Sequence, residues 1–529
     1  MRSRSVRPAG RRVASSAKQY HLFYKQQTQR SVQTLWRFQE SLTARPNLEQ
    51  LPVHLQLYSR PAEPPLPMSI ADETSPRMTC GEQHGLKWER DTFSLTPAWT
   101  VDPSIECIKD ICYGLLKRLY AHSVCYTDIE VKFLDEGAFN RVYEIDATVE
   151  VNALPEAQLK TGIVSTNESF KYAFRVGLPV DPQLKSWSEV ATIEYLKTFT
   201  TIPVTTVLHS SQTAKNALGF EWMLQTYVPG HKLSSIWEEL GDNGREWVIK
   251  QLATIQEELF RKARFRQIGN IYREREDLAS DERLQDNLDE GNREQFYVGK
   301  IVSNPFIMSS AVMKIVNRGP FRTTADWFST HLGNVLLNCE RLQKSSDDDD
   351  LEAAERSGGI ARQLLAILPQ LFSDDRSSET TFLHHHDLNR NNIFCAADGT
   401  ITAILDWEAT SCLPLWTAYD FPQLLQGLDY PEKPDPTEYL RGADDELFQD
   451  HLLMWQQMNL RATYRETMGR IWPEWEKEHE NVQNCAQRDF QSAAELCEYE
   501  LWWKSITNWL KANDQLFGTE RYIRLAVFS

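Results

Sequence analysis

The chain has 529 residues, 41% of them hydrophobic and 16 of them tryptophan, which is ample for packed cores and excludes wholesale disorder. Its net charge of −17 argues against a general nucleic-acid binder, and no apolar run reaches the roughly eighteen residues of a membrane span. Nine cysteines without a Cys-x-x-Cys pair show neither zinc spacing nor the density of a disulfide framework, and read as reduced thiols.

Residues 1–39 hold nine Lys or Arg, five Ser and no acid. That composition predicts a mitochondrial presequence, with a basic arm on a cytoplasmic protein as the alternative. Residues 40–100, with a proline cluster from Pro61 to Pro67, are expected to form an extension tacked to the body by Tyr and Trp side chains. Apolar residues from Ile105 to Tyr120 recur at helical spacing. Strand text follows at Val131–Leu134 and Arg141–Ile145 around the turn Glu136–Asn140, giving a hairpin whose tip is placed to lie over phosphates. Gly137 and Asn140 are its candidate nucleotide contacts, although a single Gly stands where dinucleotide-binding loops carry three.

Lys171–Gly177 reads as a further strand, with Arg175 where a kinase carries its phosphate-binding Lys. Residues Ser186–Phe199 read as a helix carrying Glu189, and Arg175 with Glu189 form the candidate ion pair. The strand Phe220–Leu224 runs into Gln225–Gly230, an interlobe hinge whose backbone around Thr226 to Val228 would meet an adenine edge. Beyond Gly230 the text turns helical, with Trp247–Phe260 strongly periodic and a turn and strand over Phe265–Tyr272. Arg273–Glu294 reads as a solvated insertion, Thr323 or Thr324 as a helix N-cap, Asp347–Asp350 as a loop tip, and Ala361–Leu371 as a helix. From about Asp445 the chain is helical, with Trp502, Trp503, Ile506, Trp509 and Leu510 on one apolar face.

The chemistry concentrates in Leu383–Glu408. Asn392 follows Asp387 by five places, and Asp406 follows Asn392 by fourteen. Two short strands, Ile393–Ala396 and Thr400–Leu405, flank Asp398-Gly399, a dipeptide that accepts the positive φ of a tight turn. Pairing them brings Asn392 and Asp406 together at the open end, with Asp387 just before it. Two oxygen ligands beside a free carboxylate suit a hard cation carrying phosphate oxygens next to a hydroxyl awaiting deprotonation, which is phosphoryl-transfer chemistry. The three histidines His384–His386 do not make a zinc site, because Leu388 and Asn389 stand where a His-x-His-x-Asp-His set needs Asp and His. His385 instead braces the loop that carries Asp387, and the two are the candidate catalytic residues. No Gly-x-Ser-x-Gly elbow supports a serine hydrolase.

Taken together, EGAFNRVYEI, YAFRVGLP, SEVATIEYL with TTIPV, MLQTYVPG, RGPF and HHHDLNRNNIF…ILDWEATSCLPLW resemble the fungal branch of the aminoglycoside phosphotransferase (choline kinase) family, which includes altered-inheritance-of-mitochondria proteins. The resemblance covers roughly residues 100–430. It implies an α+β, protein-kinase-like fold, with a small antiparallel-sheet N-lobe over 101–227 and a mainly helical C-lobe with a C-terminal extension over 228–529. It also implies ATP and Mg²⁺ as cofactors, Asp387 as catalytic base, Asn392 and Asp406 as metal ligands, and Arg175 held by Glu189 on the phosphates. The expected activity is transfer of the ATP γ-phosphate to a small-molecule hydroxyl. The rival reading is a nucleotide-binding pseudokinase serving mitochondrial maintenance without chemistry, and it draws on Arg175 in place of Lys.

Overall fold

Period-two alternation decides the first sheet. In the segment around Arg175, Tyr172, Phe174 and Val176 point one way and are buried, while Ala173, Arg175 and Gly177 point the other. The buried row packs on Ile108, Cys112 and Leu116 of α1 (Ile105–Leu119). Each such aliphatic or aromatic side chain contributes about 1.5–3 kcal/mol of burial. Arg175 is thereby turned away from this core, toward the rest of the chain.

A computed structural model describes residues 82–91, 94–119, 128–150, 167–273, 295–307, 317–372, 377–517, 519 and 521–525. The basic stretch 1–39, most of the proline-bearing extension and nearly all of the charged insertion after Arg273 lie outside the described residues. Within the extension, β1 (Leu86–Asp91) and β2 (Ser94–Trp99) pair as a hairpin. Leu86 is buried with Leu178, Val180, Val302 and Ile307, and Trp99 packs on Phe220 at 5.4 Å. The expected extension thus carries regular structure near its end, held by a tryptophan.

The N-terminal sheet has five antiparallel strands: β3 (Ile129–Glu136), β4 (Asn140–Glu150), β5 (Asn167–Gly177), β6 (Val207–Ser211) and β7 (Glu221–Thr226). Their order is β3-β4-β5-β7-β6. Between β5 and β6 lies α2 (Leu184–Phe199), buried on nearly every face, including Ser188, Glu189 and Thr192. Two polar ties fix it. Arg318 grips Asp181, just ahead of α2, through a two-armed bond of 2.7 and 2.5 Å. Asn270 accepts from Ser411 Oγ at 2.8 Å and donates to Ser188 Oγ at 3.0 Å.

After β7 the chain reaches Gly230, whose φ of 113° and whose missing Cβ, which would lie 2.6 Å from Cys395 O, both require glycine. There β8 (His231–Lys232) joins β13 (Ile393–Cys395) and β14 (Ile401–Ile404) in a small sheet ordered β14-β13-β8. Between them in sequence come α3 (Gly241–Lys262), β9 (Arg264–Phe265), β10 (Gly269–Arg273), β11 (Phe296–Gly299), α4 (Thr324–Leu342), α5 (Asp348–Leu371) and β12 (Thr381–His384). Strands β9 to β12 and β15 (Ser411–Pro414) form a second five-stranded sheet, and α6 (Glu446–Ile471), α7 (Val482–Leu496) and α8 (Glu500–Ala512) complete the helical part. The fold is α+β and two-lobed, as the motif order implies.

Thr323 caps α4 by accepting the Asp326 N–H at 3.1 Å. The acidic run Asp347–Asp350, expected as a loop tip, is instead the cap and first turn of α5, with Asp347 accepting the Asp349 N–H at 2.9 Å. Four carboxylates there complement the positive end of the helix, and α5 starts well before Ala361. Among the described residues no helix is long and apolar enough to cross a membrane, and the seven described cysteines are all free thiols.

Candidate active site

The hairpin that carries Asn392 and Asp406 closes through Gly399 at φ 85°, and Thr400 N–H donates to Asp398 Oδ1 at 2.8 Å. Ile393 faces Ile404, so Asn392 lies opposite Leu405, whose N–H donates to Asn392 O at 2.8 Å. Asp406 is the next residue and adopts φ 64°. A non-glycine residue there costs on the order of 1–2 kcal/mol, least for Asp or Asn. Trp407 explains why the segment tolerates this turn. Its ring is buried, its Nε1–H donates to Ile404 O at 2.9 Å, and it meets the His385 ring edge-on at 4.6 Å.

Asp387 is held at both oxygens. Asn389 Nδ2 donates to Oδ1 at 2.7 Å and Asn392 Nδ2 donates to Oδ2 at 2.8 Å. Asn392 Nδ2 also donates to Asp387 O at 2.8 Å. Both of those partners are acceptors only, so the amide nitrogen must face Asp387 and Asn392 Oδ1 must face away, free to ligate a cation. His385 clamps the same loop: Asp387 N–H donates to its Nδ1 at 3.1 Å, and its Nε2 lies 3.0 Å from Leu405 O. The first partner is a donor and the second an acceptor, which fixes the neutral Nε2–H tautomer. Burial, outweighing Leu405 O and Asp387, pulls the His385 pKa down, and burial with His385 beside it brings His384 down to about 4. His385 is therefore a neutral brace between the loop of Asp387 and the strand leading to Asp406.

Arg175 gathers a second group of carboxylates. Its Nη1 donates to Glu189, and its Nη2 donates to Asp406 Oδ1 at 2.5 Å and lies 3.2 Å from Glu408 Oε2. Burial opposes its charge, yet Glu189, Asp406 and Glu408 hold it more firmly protonated than an ordinary arginine. Burial lifts Glu189 above the usual carboxylate range even with Arg175 against it. Burial and the neighbouring Glu408 charge push Asp406 up to about 7 against the pull of Arg175. Burial works to raise Glu408 too, but Lys185 and then Arg175 outweigh it and hold it at about 2. Three carboxylates thus share two cations, and only Glu408, which faces both, is held below the usual carboxylate range.

Of the residues expected from sequence, Arg175, Glu189 and Asp406 meet in one cluster, and Asp387, Asn392 and His385 meet in another joined to it through the hairpin. Asn140, at the start of β4, reaches the first cluster: its Nδ2 donates to Glu408 Oε2 at 2.8 Å. Gly137 N–H donates to Asn140 O at 2.9 Å and closes the turn, whose packing does not itself demand a glycine there. Thr226 N–H donates to Thr206 O at 2.9 Å, so that amide already has a partner within the sheet, while Val228 lies beyond the end of β7. Sequence reasoning missed Lys185, Glu408 and Arg318. Lys185 stands one helical turn before Glu189, a spacing that puts both on one face and was a usable signal.

Among the described residues no three His, Cys, Asp or Glu side chains cluster as a protein-only metal site. Mg²⁺ does not need one, because it is commonly held by one or two carboxylates with phosphate oxygens and water. Asn392 Oδ1 and Asp406, whose side chain keeps 32% exposure, fit that donor set.

Residues 163–460, more than half of the chain, match the phosphotransferase enzyme family model, APH. A subtelomeric hrmA-associated cluster protein, in two strains of Aspergillus fumigatus, is 24% identical over 308 residues, 49% of this chain and 58% of that protein. The chain therefore spans little more than half the length of these curated relatives. The structure is similar to an aminoglycoside-3'-phosphotransferase of type VIII, with 14% identity, TM-score 0.31, and coverage of 73% of this chain and 97% of that one. A spectinomycin phosphotransferase solved with ADP and spectinomycin gives 10% identity, TM-score 0.26, and coverage of 76% and 99%. On the match to the family model, the chain belongs to the phosphotransferase enzyme family.

Proposed function

We propose that the chain is an ATP- and Mg²⁺-dependent phosphotransferase that moves the γ-phosphate to a hydroxyl of a small molecule. The observation that carries this reading is the Arg175 clasp, which ties a sheet strand and Glu189 of α2 to Asp406, the residue after Leu405, whose N–H bonds Asn392, itself bonded to Asp387. Asp387 serves as the base. Held by Asn389 and Asn392, it takes the acceptor's O–H proton as the new O–P bond forms and the bond to the ADP oxygen breaks, with that electron pair leaving on ADP. His385 keeps the base in register with the hairpin. Mg²⁺, when bound at Asn392 and Asp406, would neutralise charge on the phosphates. The turn at Gly137 and Asn140 covers the phosphates, Arg175 keeps Glu189 and Asp406 in place beside them, and the chain from Thr226 to Val228 borders the adenine.

The test compares ATP binding and slow ATP hydrolysis in the wild type and in Asp387→Asn. The enzyme reading expects hydrolysis to fall at least about 100-fold with binding intact. Equal rates in both proteins favour the pseudokinase reading, which draws on Arg175 replacing Lys. A screen of small-molecule alcohols for ATP consumption then identifies the acceptor class. For residues 1–39, import into mitochondria is the proposal, and a reporter fused to them that stays in the cytoplasm would refute it.

A further inference from the structure

Arg175 cannot turn toward a triphosphate without leaving its carboxylates. Its planar fork has Nη1 on Glu189 and Nη2 on Asp406 and Glu408, and those directions are fixed. Lys185 is differently placed. It lies in the first turn of α2, its side chain is 3% exposed, and its Nζ is 2.7 Å from Glu408 Oε2 and 3.1 Å from Asn140 Oδ1. An ammonium has three donors and these contacts use two. The first turn of α2 has no acid, and a helix N-terminus disfavours a cation. A buried lysine there is stable only beside an anion, and the anion it has belongs to the catalytic segment, two residues after Asp406.

We propose that Lys185 is the residue that contacts the nucleotide phosphates, a part the sequence order gives to Arg175, and that Glu408 and Asn140 hold its ammonium until a phosphate oxygen replaces Glu408. This rests on the phosphotransferase reading above. Asn140 follows the turn read as covering the phosphates and Glu408 follows Asp406 in the catalytic segment, so Nζ sits where those two elements meet. Replacing one anion by another keeps the ammonium paired. Glu408 is not stranded by the exchange, because Arg175 lies 3.2 Å away and Asn140 Nδ2 donates at 2.8 Å. A lysine suits this handover better than an arginine, since a compact charge on a flexible stem can change acceptors while a fork in a fixed plane cannot. Arg175 is then a positioning residue for Glu189 and Asp406.

An acyl-phosphate derivative of ATP tests this on the wild-type chain, because it transfers its acyl group to a lysine amine within reach of the phosphates and releases ATP. Mass spectrometry should find the label on Lys185, suppressed by excess ATP. ATP-suppressed labelling of another lysine, such as Lys171 or Lys232, with Lys185 unmodified overturns the assignment. In parallel, Lys185→Met should weaken ATP binding at least tenfold and leave adenosine binding within twofold, whereas Lys185→Arg should recover part of the loss. Equal weakening of ATP and adenosine, or no weakening, overturns it as well. A wild type that binds no ATP at all refutes the nucleotide reading itself, while one that binds ATP and labels elsewhere refutes only the role of Lys185.

Discussion

Replacing Arg175 by methionine removes a side chain that joins β5, α2 and the catalytic segment. The aliphatic stem keeps most of the packing, so the measured loss reports the charge. Glu189, with its side chain 2% exposed, would be left with only the more distant Lys185 to offset it. Breaking a buried pair by removing one partner costs about 3–5 kcal/mol. The Asp406 arm adds less than the Glu189 arm, because that carboxylate keeps 32% exposure and is only partly withdrawn from water. The expected deficit is therefore about 3 kcal/mol or more at pH 8, a large part of the ~5–15 kcal/mol typical of a folded chain. Without Arg175, Glu189 should stay protonated in the folded state at pH values where the unfolded chain is ionised. The folded variant then binds more protons than the unfolded one, so its stability falls as pH rises and the deficit should shrink at pH 5. Urea unfolding followed by tryptophan fluorescence at both pH values reads this directly. A variant within about 0.5 kcal/mol of the wild type at pH 8 would refute the clasp, since that is the range of an ordinary surface change.

Further measurements address the remaining parts of the site. Asp406, near 7 in the fold against 3.8 ordinarily, lets the folded state hold a proton across that window, so stability declines as pH rises through it, and Asp406→Asn should flatten the decline in a urea series. The same proton must leave before a cation binds, so Mg²⁺-ATP affinity measured by calorimetry should rise by up to about tenfold per pH unit below 7 and level off above it. His385→Ala removes both clamp bonds and should lower stability by about 1–3 kcal/mol and kcat more than the KM for ATP, a split visible in steady-state kinetics. Gly230→Ala places a methyl 2.6 Å from Cys395 O at φ 113°, and thermal unfolding should show a loss of more than about 1 kcal/mol. Thr323→Ala should lose about 1 kcal/mol of cap stability in the same assay, and an unchanged midpoint would deny the cap its role.

The local signals along this chain were strong where the deciding physics is short-range. Alternation through Lys171–Gly177 set which face Arg175 occupies, Asp398-Gly399 set the hairpin, and pairing of its strands set Asn392 beside Leu405, the residue before Asp406. Each depends on backbone geometry within a few residues, and one-dimensional text carries that. The acidic run Asp347–Asp350 is the instructive exception, since like charges read as a solvated tip until a helix supplies the positive end that they cap. What the text could not carry is the sharing of charge among distant side chains. Asp406 lies 231 positions from Arg175 and Glu408 lies 268 from Asn140, and neither pairing has any local signature. Only packing of α2 against the catalytic segment makes Lys185 a buried cation and gives two carboxylates, two residues apart, pKa values on opposite sides of the ordinary range. The sequence determined which groups are present and in what order, whereas tertiary structure decided which of them share a low-dielectric space, and Coulomb interactions there depend on distance and solvation, not on position along the chain.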